Sequence, residues 1–160
     1  MRSTVLVLLL ACASAGPAPT VRTPGDQVGA LEYDVARLVN EHRAARRLRA
    51  LTLDTVVASV ARAHSVAMAR GRVPLGHHGF DERATRVERF LTFTAIAENV
   101  ALNDYPPPRT VRVAVDGWLR SSHHRENIEG EFDITGVGIA RSRDGAYYYT
   151  QIFVAKARGP

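Results

Sequence analysis

Apolar positions along this chain follow two rhythms, and the change from one to the other orders its elements. Leu31, Val35, Leu38 and Val39, with His42 on the same face, recur at helical spacing and predict an amphipathic helix over about residues 28–47. Leu53, Val56, Val57, Val60, Ala61, His64, Ala67 and Met68 predict a second helix, with Thr52 or Asp54 as its cap and Gly71 at its end. Residues 72–80, with Pro74, Gly76 and Gly79, read as a loop, and a short helix follows from Asp81. Residues 102–108 end in consecutive prolines and read as a turn. Pro108 or Thr110 then opens a third helix, on which Val111, Val115, Trp118 and Leu119 share a face.

The period then falls to two. Ile134–Ala140 and Tyr147–Val154 read as the strands of a hairpin, with Ser142-Arg143-Asp144-Gly145 as its turn. The second strand carries Tyr147, Tyr149 and Phe153 on one side and Tyr148, Ile152 and Val154 on the other. A strand with large residues on both faces is covered on both, so helices are expected above and below the sheet. The expected fold is α+β, a three-layer α/β/α sandwich around a mainly antiparallel sheet.

Length adds that one domain suffices: of 160 residues, 27–157 show no internal repeat and no second break in composition. A domain of that size folds without disulfides. That matters, because Cys12 is the only cysteine. The first residues have a different character. Met1-Arg2 precedes the apolar run Val5–Leu10, too short for a mature membrane span but suited to a signal peptide over residues 1–15. Leu9-Leu10-Ala11-Cys12 offers a lipobox that would lipidate Cys12, while Ala13-Ser14-Ala15 offers ordinary signal-peptidase cleavage. The sole cysteine standing where a lipid would be attached favours the lipoprotein. Residues 16–26 are Pro-rich and polar, a tether. The chain is therefore expected to be exported, either lipid-anchored at a bacterial envelope or secreted or periplasmic.

The formal charge is +5, carried almost wholly by arginine. A basic surface attracts nucleic acid, anionic lipid or acidic polysaccharide. Here the charges are spread along the helices, and the densest run is only His42–Arg49, so no nucleic acid is expected as a partner. Contact with membrane is expected only through a lipid on Cys12.

The polar residues that could carry chemistry lie outside the amphipathic patterns. His77-His78-Gly79-Phe80 occupies a glycine-bounded loop, Glu98-Asn99 interrupts the apolar run Ile96–Ala101, and Trp118–Ile128 crosses from helix to loop. Two neutral imidazoles, His77 and His124, could hold a divalent metal such as Zn²⁺, with Glu98 as a third ligand or as the partner that orients a histidine. The same trio without metal could serve as general acid and base, or could simply line a polar cleft. His64 and His42 read as satisfied core histidines and His78 as exposed. Arg125 and Asn127 are expected to pin a loop through backbone carbonyls. Ser121 and Ser122 lie near His124, but no aspartate sits at a triad position.

Taken in order, these segments resemble the CAP superfamily of cysteine-rich secretory, antigen 5 and pathogenesis-related proteins, in its bacterial SCP-domain form. The resemblance runs from about residue 31 to 155. It rests on Val39-Asn40-Glu41-His42-Arg43, Ala63–Ala69, His77 with Gly79-Phe80, Ala97-Glu98-Asn99-Val100-Ala101, Asp116-Gly117-Trp118-Leu119 with Ser121, His124, Arg125, Asn127 and Ile128, and the strand segments Thr135–Ala140 and Tyr148–Phe153. Members outside bacteria bring two His and two Glu to one cleft. By position these fall on His77 and Glu98, but the second Glu falls on Ser121 and the second His on Tyr148. Bacterial members supply a histidine at His124 instead, and His123 stands where a glycine is usual. The resemblance implies work outside the cell and a cleft built from His77, Glu98, His124, Ser121, Tyr148, Arg125 and Asn127. It would take a metal ion, a lipid or an envelope glycan, or dock a surface protein. The alternative is a secreted zinc-dependent, peptidase-like hydrolase using the same cleft.

Overall fold

The computed structural model describes residues 24–157. The expected signal peptide, Cys12 and most of the tether lie outside these residues. Its elements are α1 (Pro24–Ala45), β1 (Thr52–Leu53), α2 (Thr55–Ala69), α3 (Phe80–Glu88), β2 (Phe93–Asn103), α4 (Arg109–Arg120), α5 (Ser122–Glu129), β3 (Ile134–Arg141) and β4 (Tyr147–Lys156). Helix α1 starts earlier than the apolar spacing implied, because Pro24 can occupy a first helical turn where its missing N–H has no partner to lose. Asp54 caps α2 by accepting from the Val56 and Val57 amides at 2.8 and 2.9 Å, worth about 1 kcal/mol.

The sheet runs β1-β3-β4-β2, with β1 parallel to β3 and the other pairs antiparallel. It is thus a mixed sheet with antiparallel pairing dominant. Two strands are additions to the sequence reading. β1 is too short to show a period, and β2 hides its period because its alanines give little contrast between faces and Glu98 and Asn99 put a polar residue on each.

Helices cover both faces. On one, α1, α4 and α5 pack Val35, Val39, Trp118 and Ile128 against Val137, Ile139, Tyr147, Tyr149 and Phe153. On the other, Val57, Val60 and Ala61 of α2 and Val87 of α3 cover Ile134, Ile152 and Val154. The two faces of β4 are those expected from its alternation. Among the described residues no helix is long and apolar enough to cross a membrane.

Helix α2 crosses β3 at backbone contact. A Cβ on Gly138 would lie 2.0 Å from the Arg62 nitrogen, and one on Gly136 2.2 Å from that of Ala58. Ser65 seals the contact by donating to the Gly138 carbonyl at 2.8 Å. This close approach sets how far α2 stands from the sheet, and hence where the loop after it can reach. Gly138→Ala is expected to destabilise the fold by about 3 kcal/mol, because backbone rather than a flexible side chain must move. Gly117→Ala, in mid-helix with nothing within 4 Å of the added methyl, should instead stabilise by roughly 0.5–1 kcal/mol. Urea denaturation midpoints of the two variants check both signs.

Candidate functional site

Strand β2 forms one edge of the sheet, and an edge strand leaves backbone groups without partners. Side chains from the α4 and α5 layer cap it. Trp118 Nε1 donates to the Val100 carbonyl at 3.0 Å and Asn127 Nδ2 to that of Glu98 at 3.3 Å. Asn127 also donates to Asn99 Oδ1 at 2.9 Å, and Asn99 donates to the His124 carbonyl at 3.0 Å. These bonds hold the first turn of α5 against β2. His124 therefore sits on a helix, not in the loop that the sequence suggested.

Glu98 points to the opposite face, towards α2 and α3, and its side chain is 1% exposed. A buried carboxylate needs charged partners. Arg83 of α3 supplies a bidentate one, donating from Nε to Oε2 at 2.6 Å and from Nη2 to Oε1 at 2.7 Å. His77 Nδ1 lies 2.9 Å from the same Oε1. Because the carboxylate only accepts, Nδ1 donates this bond, and Nε2 lies on the side of the ring away from the buried acid. The His77 side chain is 53% exposed, so that nitrogen is open to solvent.

Arg83 also holds the loop. Its Nη1 donates to the His78 carbonyl at 2.8 Å and meets His64 Nδ1 at 3.2 Å. His64 Nε2 lies 2.8 Å from the Gly76 carbonyl and must donate to it, so His64 is the neutral tautomer that accepts from Arg83. Gly79, at φ 73°, turns the loop into α3 in a conformation other residues resist. Burial first, and then the Arg83 charge, holds His64 below its ordinary value of 6.5. Burial also lowers His124, and charge on His77 and His123 adds to it. The shift favours the neutral form of the His124 ring.

The structure brings His77 from a loop against Glu98 on a strand, while His124 is recorded through its backbone carbonyl, which holds α5 to Asn99 of β2. Asn127 and Arg125 act through backbone carbonyls, Arg125 reaching that of Leu119 at 3.1 Å. Ser121 joins α4 to α5, and its side chain makes no cap hydrogen bond. Tyr148 stands apart. It pairs with Leu102, four residues along β4 from the Ile152 opposite Glu98, or roughly 13 Å away. Glu98 is spoken for by Arg83 and His77, and among the described residues no three His, Cys, Asp or Glu side chains are placed to share a metal ion. The three-ligand set does not fit these donors. Glu98 instead takes the orienting position towards His77.

Arg83 is the residue that sequence reasoning missed. Its signal is its place four residues before the buried Val87 on a short helix: a charge on an apolar stripe implies a buried counter-charge. Asn99 likewise carried no flag beyond its neighbour Glu98.

An α/β/α sandwich with a histidine–carboxylate pair at the edge of a mixed sheet defines the class. A family model described as the cysteine-rich secretory protein family, CAP, matches residues 36–153, and the chain belongs to that family. Among solved structures, an extracellular protein containing an SCP domain from Bacillus anthracis is 28% identical over 89% of this chain and 45% of its own, with a TM-score of 0.68. A cysteine-rich secretory protein from Staphylococcus aureus is 20% identical over 85% of this chain and 42% of its own, at 0.67. An outer surface protein from Borrelia burgdorferi is 18% identical over 80% of this chain and 94% of its own, at 0.68. The last two show likeness of fold alone, and the chain spans less than half of the Bacillus and Staphylococcus proteins. No curated protein matches it.

Removing Arg83 strands a buried carboxylate. Arg83→Met is expected to cost about 3–5 kcal/mol, while Arg83→Met/Glu98→Leu should recover most of it. Urea denaturation of both variants measures the difference, and a double variant as unstable as the single one would deny that the charge pair is the cause.

His64 makes stability depend on pH. With its folded pKa below 6.5, the native state binds fewer protons than the unfolded chain just under that value. Its contribution is complete above 6.5 and is lost as pH falls through the folded value. His64→Gln, which keeps a donor for Gly76 and an acceptor for Arg83 without titrating, should show a smaller fall in denaturation midpoint between pH 7 and pH 5 than wild type.

Proposed function

We propose that this chain is an exported binding protein of the bacterial envelope, and that its CAP cleft recruits a divalent metal ion through His77 and His124. The observation that carries this reading is the Glu98–His77 hydrogen bond. A carboxylate that fixes one imidazole nitrogen and presents the other outward is the usual support behind a metal-binding histidine. His124 adds a second imidazole, its neutral form favoured by burial. Imidazole favours Zn²⁺, Cu²⁺ and Ni²⁺ among divalent ions, and two ligands imply micromolar rather than nanomolar affinity.

Binding is a better reading than hydrolysis. A catalytic zinc site needs three protein ligands and an open position. Here the third candidate, Glu98, has its carboxylate tied to a guanidinium and to His77. The export reading draws on the apolar run before Cys12 and on the description of the Bacillus relative as extracellular. Anchoring through Cys12 belongs to the same proposal.

Calorimetric titration of the protein with Zn²⁺, beside His77→Ala/His124→Ala, is the test. Micromolar binding that the variant loses supports the reading. A folded wild type that takes up no Zn²⁺, Cu²⁺ or Ni²⁺ overturns it and turns the cleft over to lipid or glycan ligands. Fractionation of cells producing wild type and Cys12→Ser reads the anchor: the wild type should partition with membranes and the variant should not.

A further inference from the structure

A second concave site, of about 860 Å³, lies where the end of α2 meets the β3–β4 turn, away from the histidines. It is walled by Met68, Arg70 and Arg72 from the end of α2, by Arg141, Arg143 and Asp144 from the turn, and by Tyr148. Arg70, Arg72 and Arg143, from two elements distant in sequence, thus line one concavity with a single carboxylate. The turn itself is held by its own bonds. Gly145, at φ 97°, closes it, and Arg141 Nε donates to the Gly145 carbonyl at 3.1 Å with the guanidinium 5.5 Å from the Tyr147 ring centre. Asp144 is held by the Ser142 hydroxyl.

Some helix arginines are paired with acids: Arg37 with Asp34 and Glu41, Arg62 with Glu32, Arg83 with Glu98. Arg70, Arg72, Arg141 and Arg143 have no carboxylate within salt-bridge distance among the described residues. Like charges gathered in a concavity repel one another and raise the affinity for anions there. Arg70 and Arg72 also follow the C-terminus of α2, whose dipole welcomes a cation but has no need of a further one from the hairpin.

We infer that this cavity binds an acidic glycan, its carboxylate groups gripped by the guanidinium forks of Arg70, Arg72 and Arg143 and a sugar ring laid against Tyr148. Three features select that ligand. Arginine forks match planar carboxylates bidentately. The volume is too large for a single small anion and suits a few linked units. The concavity offers no convex face to a flat bilayer, and an aromatic side chain in the wall suits a sugar's apolar face. The site is independent of the histidine cleft: Tyr148, which the sequence assigned to that cleft, belongs here instead.

The test titrates a short oligogalacturonate into the protein at low and at physiological salt. Binding is expected, weakening as salt rises, with a neutral glucan of the same length showing none. Arg72→Ala/Arg143→Ala should lower affinity by about a hundredfold, roughly tenfold for each charge-assisted hydrogen bond removed. Arg72→Lys/Arg143→Lys should recover only part, since an ammonium keeps the charge but not the fork. The control Arg86→Ala/Arg112→Ala removes the same charge from exposed positions on α3 and α4 and should leave affinity within about threefold, the scale of a screened surface charge. Thermal melts of every variant establish that it is folded. Equal reductions in the two alanine pairs would reduce the effect to net charge and overturn the site. So would binding of the neutral glucan, or binding to phosphatidylglycerol vesicles with none to the oligogalacturonate. His77→Ala/His124→Ala should bind the oligogalacturonate as wild type does, which separates this outcome from the fate of the metal proposal.

Discussion

The buried pair of Arg83 and Glu98 is the interaction on which the cleft depends. A carboxylate at 1% exposure on a sheet strand is tolerable only with a cation beside it, and the cation must come from another element, because β2's neighbours on that face are apolar. Arg83 satisfies this from α3. The same guanidinium then reaches the carbonyl of His78 and the ring of His64, so one side chain fixes a strand, a helix and the loop between α2 and α3. His77 is placed as a consequence. Its backbone is set by a loop that Arg83 holds, and its ring by the carboxylate that Arg83 neutralises.

This arrangement explains why the cleft lies at the sheet edge. An interior strand has neighbours on both sides and helices above and below, which leaves no opening. At β2 the α2–α3 loop arrives from one layer, where His77 meets Glu98, and α5 from the other, where the His124 carbonyl meets Asn99. The edge that would otherwise invite pairing with another chain is capped by Trp118 and Asn127, so the same side chains that protect the edge also position His124.

Most of this fold was legible in the sequence, and the reasons differ by element. The long helices and the β3–β4 hairpin announce themselves because their apolar faces are large and regular, and the two-sided burial of β4 follows from its tyrosines. β2 escaped because Ala95, Ala97 and Ala101 give no contrast between faces, and β1 because two residues carry no period. The site residues His77, Glu98 and His124 could be named, but their relation could not. Whether Glu98 ligates a metal or orients a histidine depends on a guanidinium fifteen residues earlier, and nothing in local spacing ties the two. Tyr148 went to the wrong cleft for a similar reason: position along a strand fixes the face of the sheet, not which cavity on that face is near.

Arginine does two different jobs on this face, and burial separates them. Arg83 is enclosed, makes its full set of bonds and has no capacity left for a ligand. Arg70, Arg72 and Arg143 are exposed and without carboxylates, at the far end of the same helix layer. The +5 charge is therefore a poor guide to function when taken as a whole, since it does not say which arginines face acids. Arg70, Arg72 and Arg143 line one concavity where α2 ends and the hairpin turns, and the order of the elements dictates that meeting. Helix α2 must cross β3 over Gly136 and Gly138, so its C-terminus comes out beside the turn into which β3 runs. The glycines that let the helix approach the sheet also bring the arginines together.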